Sequence, residues 1–314
     1  MLSLPSSVTV VEVAPRDGLQ SFPRWIDTDL KVRIVDCLSR AGFPVIEVSG
    51  FAHPRAIPNL RDAEQVCERI ARRDGVRYRG LVPNARGAER AITCRLDEIL
   101  GLVVASPTYL RKNQNMSPDQ AMDEAVAAFR LADRRHVDFT AAVAMAFWCP
   151  YEGTTPEENV LSMVGRLRNA GIRRFYLAGS AGMEDPSHVS RLFNRVFDAV
   201  PDIELGFHIH NLGGMATANI VAALDAGASR LEGAICGMGG GIAMPSSLGA
   251  VGNFPSEDLV AMLSLMGIDT GLTADAALQA ANEIAALLDV APRSHAGQGI
   301  TRHNVSQRAE LHAG

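Results

Sequence analysis

Lysine is nearly absent from the 314-residue chain: of thirty basic residues only Lys31 and Lys112 are lysines. Schiff-base catalysis needs a lysine desolvated at a strand end. Lys31 takes a polar position in an amphipathic helical pattern, and Lys112 follows Arg111 in a polar loop. Both are expected at the surface, so carbonyl activation has to come from a metal or from hydrogen bonds. An excess of positive charge is lacking too. The formal net charge of −5 argues against nucleic acid as a partner, because phosphate binding wants a basic face. No apolar run reaches the ~20 residues of a membrane helix. The first residues lack a basic segment ahead of an apolar one, so neither a membrane span nor a secretory signal is expected. The five cysteines are scattered, odd in number and in no C-x-x-C pair, which suits reduced thiols and a cytoplasmic location. There is no low-complexity or linker-like stretch to divide the chain.

What the chain does have is an alternation of short β-branched or apolar runs with longer helical patterns. Strands are predicted at 8–13, 45–48, 77–82, 99–104, 137–144, 174–177, 204–209 and 230–235. Between them helical spacing recurs, as in Leu30, Ile34, Val35 and Leu38 ahead of Gly42, where Thr28 is placed to cap. Strands alternating with helices predict a parallel α/β structure, closed or doubly wound. Eight such units over about 255 residues favour a TIM (β/α)8 barrel. The helical patterns near 257–266 and 274–288 read as a C-terminal helical cap. This gives a catalytic barrel domain over 1–290 and a polar C-terminal tail over 291–314.

Barrel active sites form at the C-terminal ends of the strands. Those positions carry Arg16 and Asp17, then Glu47 and Ser49, then Asn84, and later His208-Ile209-His210-Asn211. Polar residues are thus expected at one end of an otherwise apolar barrel. Two residues apart on a strand, His208 and His210 share a face with Cα atoms roughly 6.6 Å apart. They can line an ordinary crevice or share a metal. The second arrangement gains Asp17 from a neighbouring strand and the amide oxygen of Asn253. Such a mixed N/O donor set suits Mg²⁺ or Mn²⁺, with Zn²⁺ or Co²⁺ as alternatives. Arg16 is placed to pair with Glu47, which can hold its guanidinium for a substrate. The glycine-rich run 237–241 reads as a mobile lid or, less well, as a phosphate cradle.

The opening segment Val11-Glu12-Val13-Ala14-Pro15-Arg16-Asp17-Gly18-Leu19-Gln20 resembles that of the 3-hydroxy-3-methylglutaryl-CoA (HMG-CoA) lyase family. The resemblance continues through Glu47-Val48-Ser49-Gly50-Phe51, Leu81-Val82-Pro83-Asn84, His208-Ile209-His210 and Gly252-Asn253. It implies metal ligands at Asp17, His208, His210 and Asn253, and catalytic roles for Arg16, Asp17, Glu47 and His208. It also implies a divalent metal cofactor, an acyl-CoA substrate and a homodimer. The implied reaction is retro-Claisen cleavage of a 3-hydroxyacyl-CoA, with HMG-CoA as the default substrate. A related substrate such as citramalyl-CoA, a condensing synthase and a catalytically weak metal- and acyl-CoA-binding paralogue are the alternatives. The chain departs from the family in four places. Gly241 stands where the lid has a cysteine, and the lid is a few residues longer. Gly179-Ser180 replaces Asp-Thr, and Asn211 replaces aspartate. Cys236 precedes the lid and is expected to pack as a small strand-end residue.

Overall fold

The computed structural model describes residues 2–248 and 251–311. Eight parallel strands follow one another around a closed barrel. They are β1 (Thr9–Glu12), β2 (Val45–Gly50), β3 (Arg77–Val82), β4 (Glu98–Val104), β5 (Asp138–Ala144), β6 (Arg174–Gly179), β7 (Glu204–Ile209) and β8 (Arg230–Gly233). β1 pairs with both β2 and β8, so the barrel itself has no open edge and the doubly wound alternative is excluded.

Helix α1 (Thr28–Ala41) shows how local sequence builds the outer ring. Ile34, Val35 and Leu38 are buried at helical spacing and pack toward the strands, each contributing ~1.5–3 kcal/mol by burial. Gly42 ends the helix at φ +89°, a left-handed conformation that costs other residues more. The N-cap is Asp27 and not Thr28. The extended Asp27 accepts a hydrogen bond from the Leu30 amide at 2.9 Å, while the Thr28 hydroxyl donates to Asp62.

Two expectations about lysine change in the folded protein. Lys31 is buried, 3 % exposed, because its ammonium donates to Asp62 and to the Asn59 carbonyl, both at 2.6 Å. It also lies 3.8 Å from the Trp25 ring centroid. It sits on α1 and is tied to an acidic partner, so it does not supply a free amine at a strand end. Lys112 belongs to helix α4 (Pro107–Gln114), not to a loop.

The remaining helices are α2 (Ala63–Arg69), α3 (Ala85–Ile92), α5 (Pro118–Asp133), α6 (Glu157–Asn169), α7 (Pro186–Ala199), α8 (Ala216–Asp225), α9 (Ser256–Leu265), α10 (Ala274–Leu288) and α11 (Arg302–Leu311). Of the pair read as a C-terminal cap, α9 packs against β1 and β8 and completes the helical ring, and α10 lies against α1 and α9. The polar segment near the C-terminus carries α11.

The barrel is not apolar below its mouth. Glu47, Arg79 and Glu98 are in register on three successive strands and are fully buried. Arg79 forms ion pairs with Glu47, with Glu232 at 2.5 Å and with Glu98 at 3.5 Å. Deeper, Arg230 meets Glu98 at 3.0 Å and Arg174 meets it at 3.4 Å. The Tyr176 ring lies 5.3 Å from the Arg79 guanidinium and 5.8 Å from that of Arg230. Gly206 makes room for it, since a Cβ there would collide with the ring. Arg79, Arg230 and Glu232 alternate with apolar neighbours, and a half-buried strand facing water shows the same pattern.

Candidate metal centre and active site

Asp17 and Arg16 lie in a single wide helical turn, Ala14–Gly18, directly after β1. Its amides fold back onto the Val13 carbonyl, which turns both side chains into the barrel mouth. Arg16 is 7 % exposed and forms an ion pair with Glu47 on β2. It also donates to Asp17 Oδ1 at 2.5 Å, and Gln20 donates to the same oxygen at 2.6 Å.

From β7 and the residue after it, His208 and His210 bring their Nε2 atoms to 3.0 Å of one another. His208 Nδ1 lies 2.7 Å from Glu232 on β8, and His210 Nδ1 lies 3.1 Å from the Val251 carbonyl. The carbonyl and the carboxylate accept, so each Nδ1 carries the proton. Both Nε2 lone pairs then face each other, an arrangement that a shared cation relieves. Asp17 joins them, with Oδ2 at 3.9 Å from His210 Nε2. The ligand atoms of Asp17, His208 and His210 all fall within 4.8 Å of one another.

Asn253 is held by a bridge to His210. Its amide nitrogen donates to Asp17 Oδ2 at 2.5 Å and to the Met238 carbonyl at 2.9 Å. The other amide atom, Oδ1, is buried with no hydrogen-bond partner. An orphaned acceptor beside a carboxylate and two imidazole lone pairs fits a divalent cation with N/O ligands.

The electrostatics agree. Burial opposes the charge on Asp17, but Arg16 and the two histidines outweigh it and hold the carboxyl below its usual range. Burial, reinforced by His208, pushes His210 down to about 4, so its imidazole is neutral. Burial of Glu232 is outweighed by Arg79 and His208, leaving it at about 2. Metal ligation needs this combination of ionised carboxylate and neutral imidazole.

Gly239 shows why this lid segment is glycine-rich. Its φ is +124°, and a Cβ there would lie 2.6 Å from Asp17 Oδ2 and also meet the Asn253 amide. The run therefore lets backbone approach Asp17 and Asn253 closely. A cavity of about 510 Å³ opens from this centre. Arg16, Asp17, His208 and His210 form its polar end, and Leu100, Leu102, Val104, Ala142 and Ala144 form an apolar wall from β4 and β5. Asn84 reaches the cavity while capping α3 through the Gly87 amide, and Ser180 lines it as well.

Among the departures from the family pattern, Asn211 turns outward and accepts from the Ala216 amide. Cys236 turns away from the mouth: its buried thiol donates to the Ala281 carbonyl of α10, and among the described residues no cysteine lines the cavity. At Gly179, the buried Glu184 carboxyl occupies the space that a side chain would take. Its Oε1 is unpartnered, and burial raises the group to about 7. Sequence reasoning missed Glu184 and also Tyr109 of α4, which lines the cavity; both come from outside the strands. It also missed Glu232, whose place two residues after Arg230 on a predicted strand was the available signal.

A closed parallel barrel that gathers two imidazoles, a carboxylate and an amide oxygen beside a buried guanidinium defines a barrel enzyme equipped for a divalent metal. Comparison with known proteins narrows the class. The HMGL-like family model matches residues 7–284. The hydroxymethylglutaryl-CoA lyase YngG of Bacillus subtilis (strain 168) is 36 % identical over 280 residues, 89 % of this chain and 93 % of that protein. The human mitochondrial hydroxymethylglutaryl-CoA lyase is 33 % identical over 289 residues, 92 % of this chain and 88 % of that one. Among solved structures, an HMG-CoA lyase from Acenitobacter baumannii in complex with coenzyme A and 3-methylmalate superposes with a TM-score of 0.90 at 35 % identity, covering 96 % of this chain and 98 % of that one. The chain belongs to the HMGL-like family and is a carbon–carbon lyase by that membership.

Proposed function

We propose that the chain cleaves a 3-hydroxyacyl-CoA between C2 and C3, taking HMG-CoA to acetyl-CoA and acetoacetate, with a divalent ion held by Asp17, His208, His210 and Asn253. The observation that carries this reading is the pair of opposed Nε2 lone pairs at 3.0 Å beside the unpartnered Asn253 Oδ1. Mg²⁺ or Mn²⁺ suits the mixed N/O donors best, with Zn²⁺ or Co²⁺ next. When bound, the ion supplies Lewis acidity that acidifies the substrate hydroxyl.

The protein's own groups account for the rest. Asp17, ionised at the mouth, takes the proton leaving the 3-hydroxyl as the C2–C3 bond breaks, while His208, oriented by Glu232, would hold the ion beside it. Arg16, fixed by Glu47, faces the enolate oxygen that develops on the thioester fragment. Preorganised charge of this kind contributes ~10²–10³ in rate. The apolar wall from β4 and β5 shields the enolate from water. Support for an acyl-CoA comes from the coenzyme A in the A. baumannii structure.

A branched relative such as citramalyl-CoA is the second reading, favoured by the altered groups at Gly179 and Gly241. Acetyl-CoA release from a panel of 3-hydroxyacyl-CoAs, with and without chelator, tests both. Chelator-sensitive release from HMG-CoA supports the first reading, and release confined to another member supports the second. No release from any member overturns the lyase assignment to this substrate class.

A further inference from the structure

Cleavage leaves a thioester enolate whose carbon must gain a proton, and neither Arg16 nor the ionised Asp17 supplies it. The donor has to line the cavity, lie at its lid side and carry a proton at neutral pH. Among the described residues no cysteine lines the cavity. His53 is exposed at the rim, where its Nδ1 accepts from the Arg55 amide. The Lys112 ammonium is drawn to the Tyr151 ring, 4.9 Å from its centroid. Ser180 accepts a hydrogen bond from the Met145 amide and has the weak acidity of an alcohol.

Tyr109 meets the requirements. It projects from α4 beneath the lid, is 4 % exposed and lines the same cavity as Arg16 and His210. Its hydroxyl lies where residue 241 would place a side chain: a Cβ built on Gly241 would be 2.7 Å from Tyr109 Oη. The lid is seated around it, with the Tyr151 hydroxyl donating to the Ala243 carbonyl at 2.7 Å and the two tyrosine rings 6.3 Å apart.

Resting on the lyase reading above, the geometry points to Tyr109 as the acid that protonates C2 of the enolate, with Gly241 glycine because the phenol fills its side-chain space. The enolate electron pair takes the Oη proton, so a C2–H bond forms as the O–H bond breaks, leaving a phenolate. The Ala243 amide faces that oxygen, and the phenolate regains a proton from solvent water. The proton lost by the substrate hydroxyl leaves separately through its base, so the balance closes. Burial pushes the phenol above its ordinary value despite the Ala243 amide, and the charge of Asp17 adds to this, so the donor is protonated at rest.

Tyr109→Phe tests the assignment in the metal-loaded enzyme by two rates: acetyl-CoA release from the best substrate of the panel, and exchange of acetyl-CoA methyl protons for deuterium in D₂O. General acid catalysis is worth ~10²–10⁴, so both should fall at least ~10²-fold with KM and metal content unchanged. Gly241→Ala should slow the wild type yet add nothing to Tyr109→Phe, because its methyl acts by displacing the hydroxyl. Wild-type release and exchange in Tyr109→Phe would overturn the proposal. So would independent, additive losses from the two substitutions, or a collapse of both rates in Cys236→Ser with metal retained. The exchange assay needs no cleavable substrate. Tyr109-dependent exchange in a protein that cleaves no panel member would sink the lyase reading and leave the acid in place.

Discussion

In the lower bore Glu98 is met by Arg79, Arg174 and Arg230, and Glu47 and Glu232 both face Arg79. At the mouth, after β1, at the end of β7 and beyond β8, Asp17, His208, His210 and Asn253 converge with lone pairs aimed at a common point. Both regions are buried and polar. In the bore each carboxylate finds its countercharge within the fold, so the cluster is closed and structural. At the mouth the donors outnumber the protein's own cations, which leaves capacity for one from outside. Glu232 joins the two regions: one oxygen accepts from Arg79 and the other from His208. A buried charge is therefore informative about function through what it leaves unsatisfied, not through its burial.

The comparison breaks most sharply at His210. His210→Ala should remove bound metal and activity together, since it deletes one of two imidazole donors. Undiminished metal content by elemental analysis would show that the mouth is as closed as the bore. Glu232→Gln perturbs only the link and should weaken metal affinity by the ~10–100-fold typical of outer partners.

In the bore the expected damage is to stability. Arg79→Met leaves Glu47, Glu98 and Glu232 without their shared cation. Removing one partner of a buried pair costs ~3–5 kcal/mol, read as a lower urea midpoint at unchanged slope. A wild-type midpoint would mean that the bore tolerates unpaired carboxylates.

Arg16→Met sits at the boundary. It should retain metal and lose ~10²–10³ in kcat, because in the proposed reaction the guanidinium acts on charge that appears only during cleavage. Wild-type turnover would reassign Arg16 to the structural set with Glu47.

The smallest effect is in the pH dependence of stability. Glu12 lies outside the ion-pair network, and burial, with the nearby Glu257 adding to it, raises it to about 8 although the Ala14 and Ile235 amides donate to it. A raised folded value means that the folded state binds more protons than the unfolded one between the ordinary 4.5 and about 8. Stability from this group is then greatest below that window and declines as pH rises through it. Glu12→Gln should flatten the decline in urea titrations between those limits. An unchanged slope would place the effect on Glu184 and Glu257, both raised to about 7.

Much of this architecture was legible in the chain. The eight strands, the α1 stop at Gly42 and the grouping of Arg16, Asp17, His208 and His210 at strand ends follow from periodicity and from two-residue spacing. Those are local properties, set by the pleat of a strand and the pitch of a helix. The partners of the charges were not legible. Arg79 meets Glu232 across 153 residues and Arg230 meets Glu98 across 132, and nothing in either strand names the other. Lys31 looked like a surface residue until Asp62 came beside it. Tyr109 and Glu184 reach the positions of Gly241 and Gly179 only because helix and loop fold over the mouth. Local sequence determines which face a side chain takes. Which other side chain waits there depends on the barrel closing, since closure brings distant strands into register and removes water from between them.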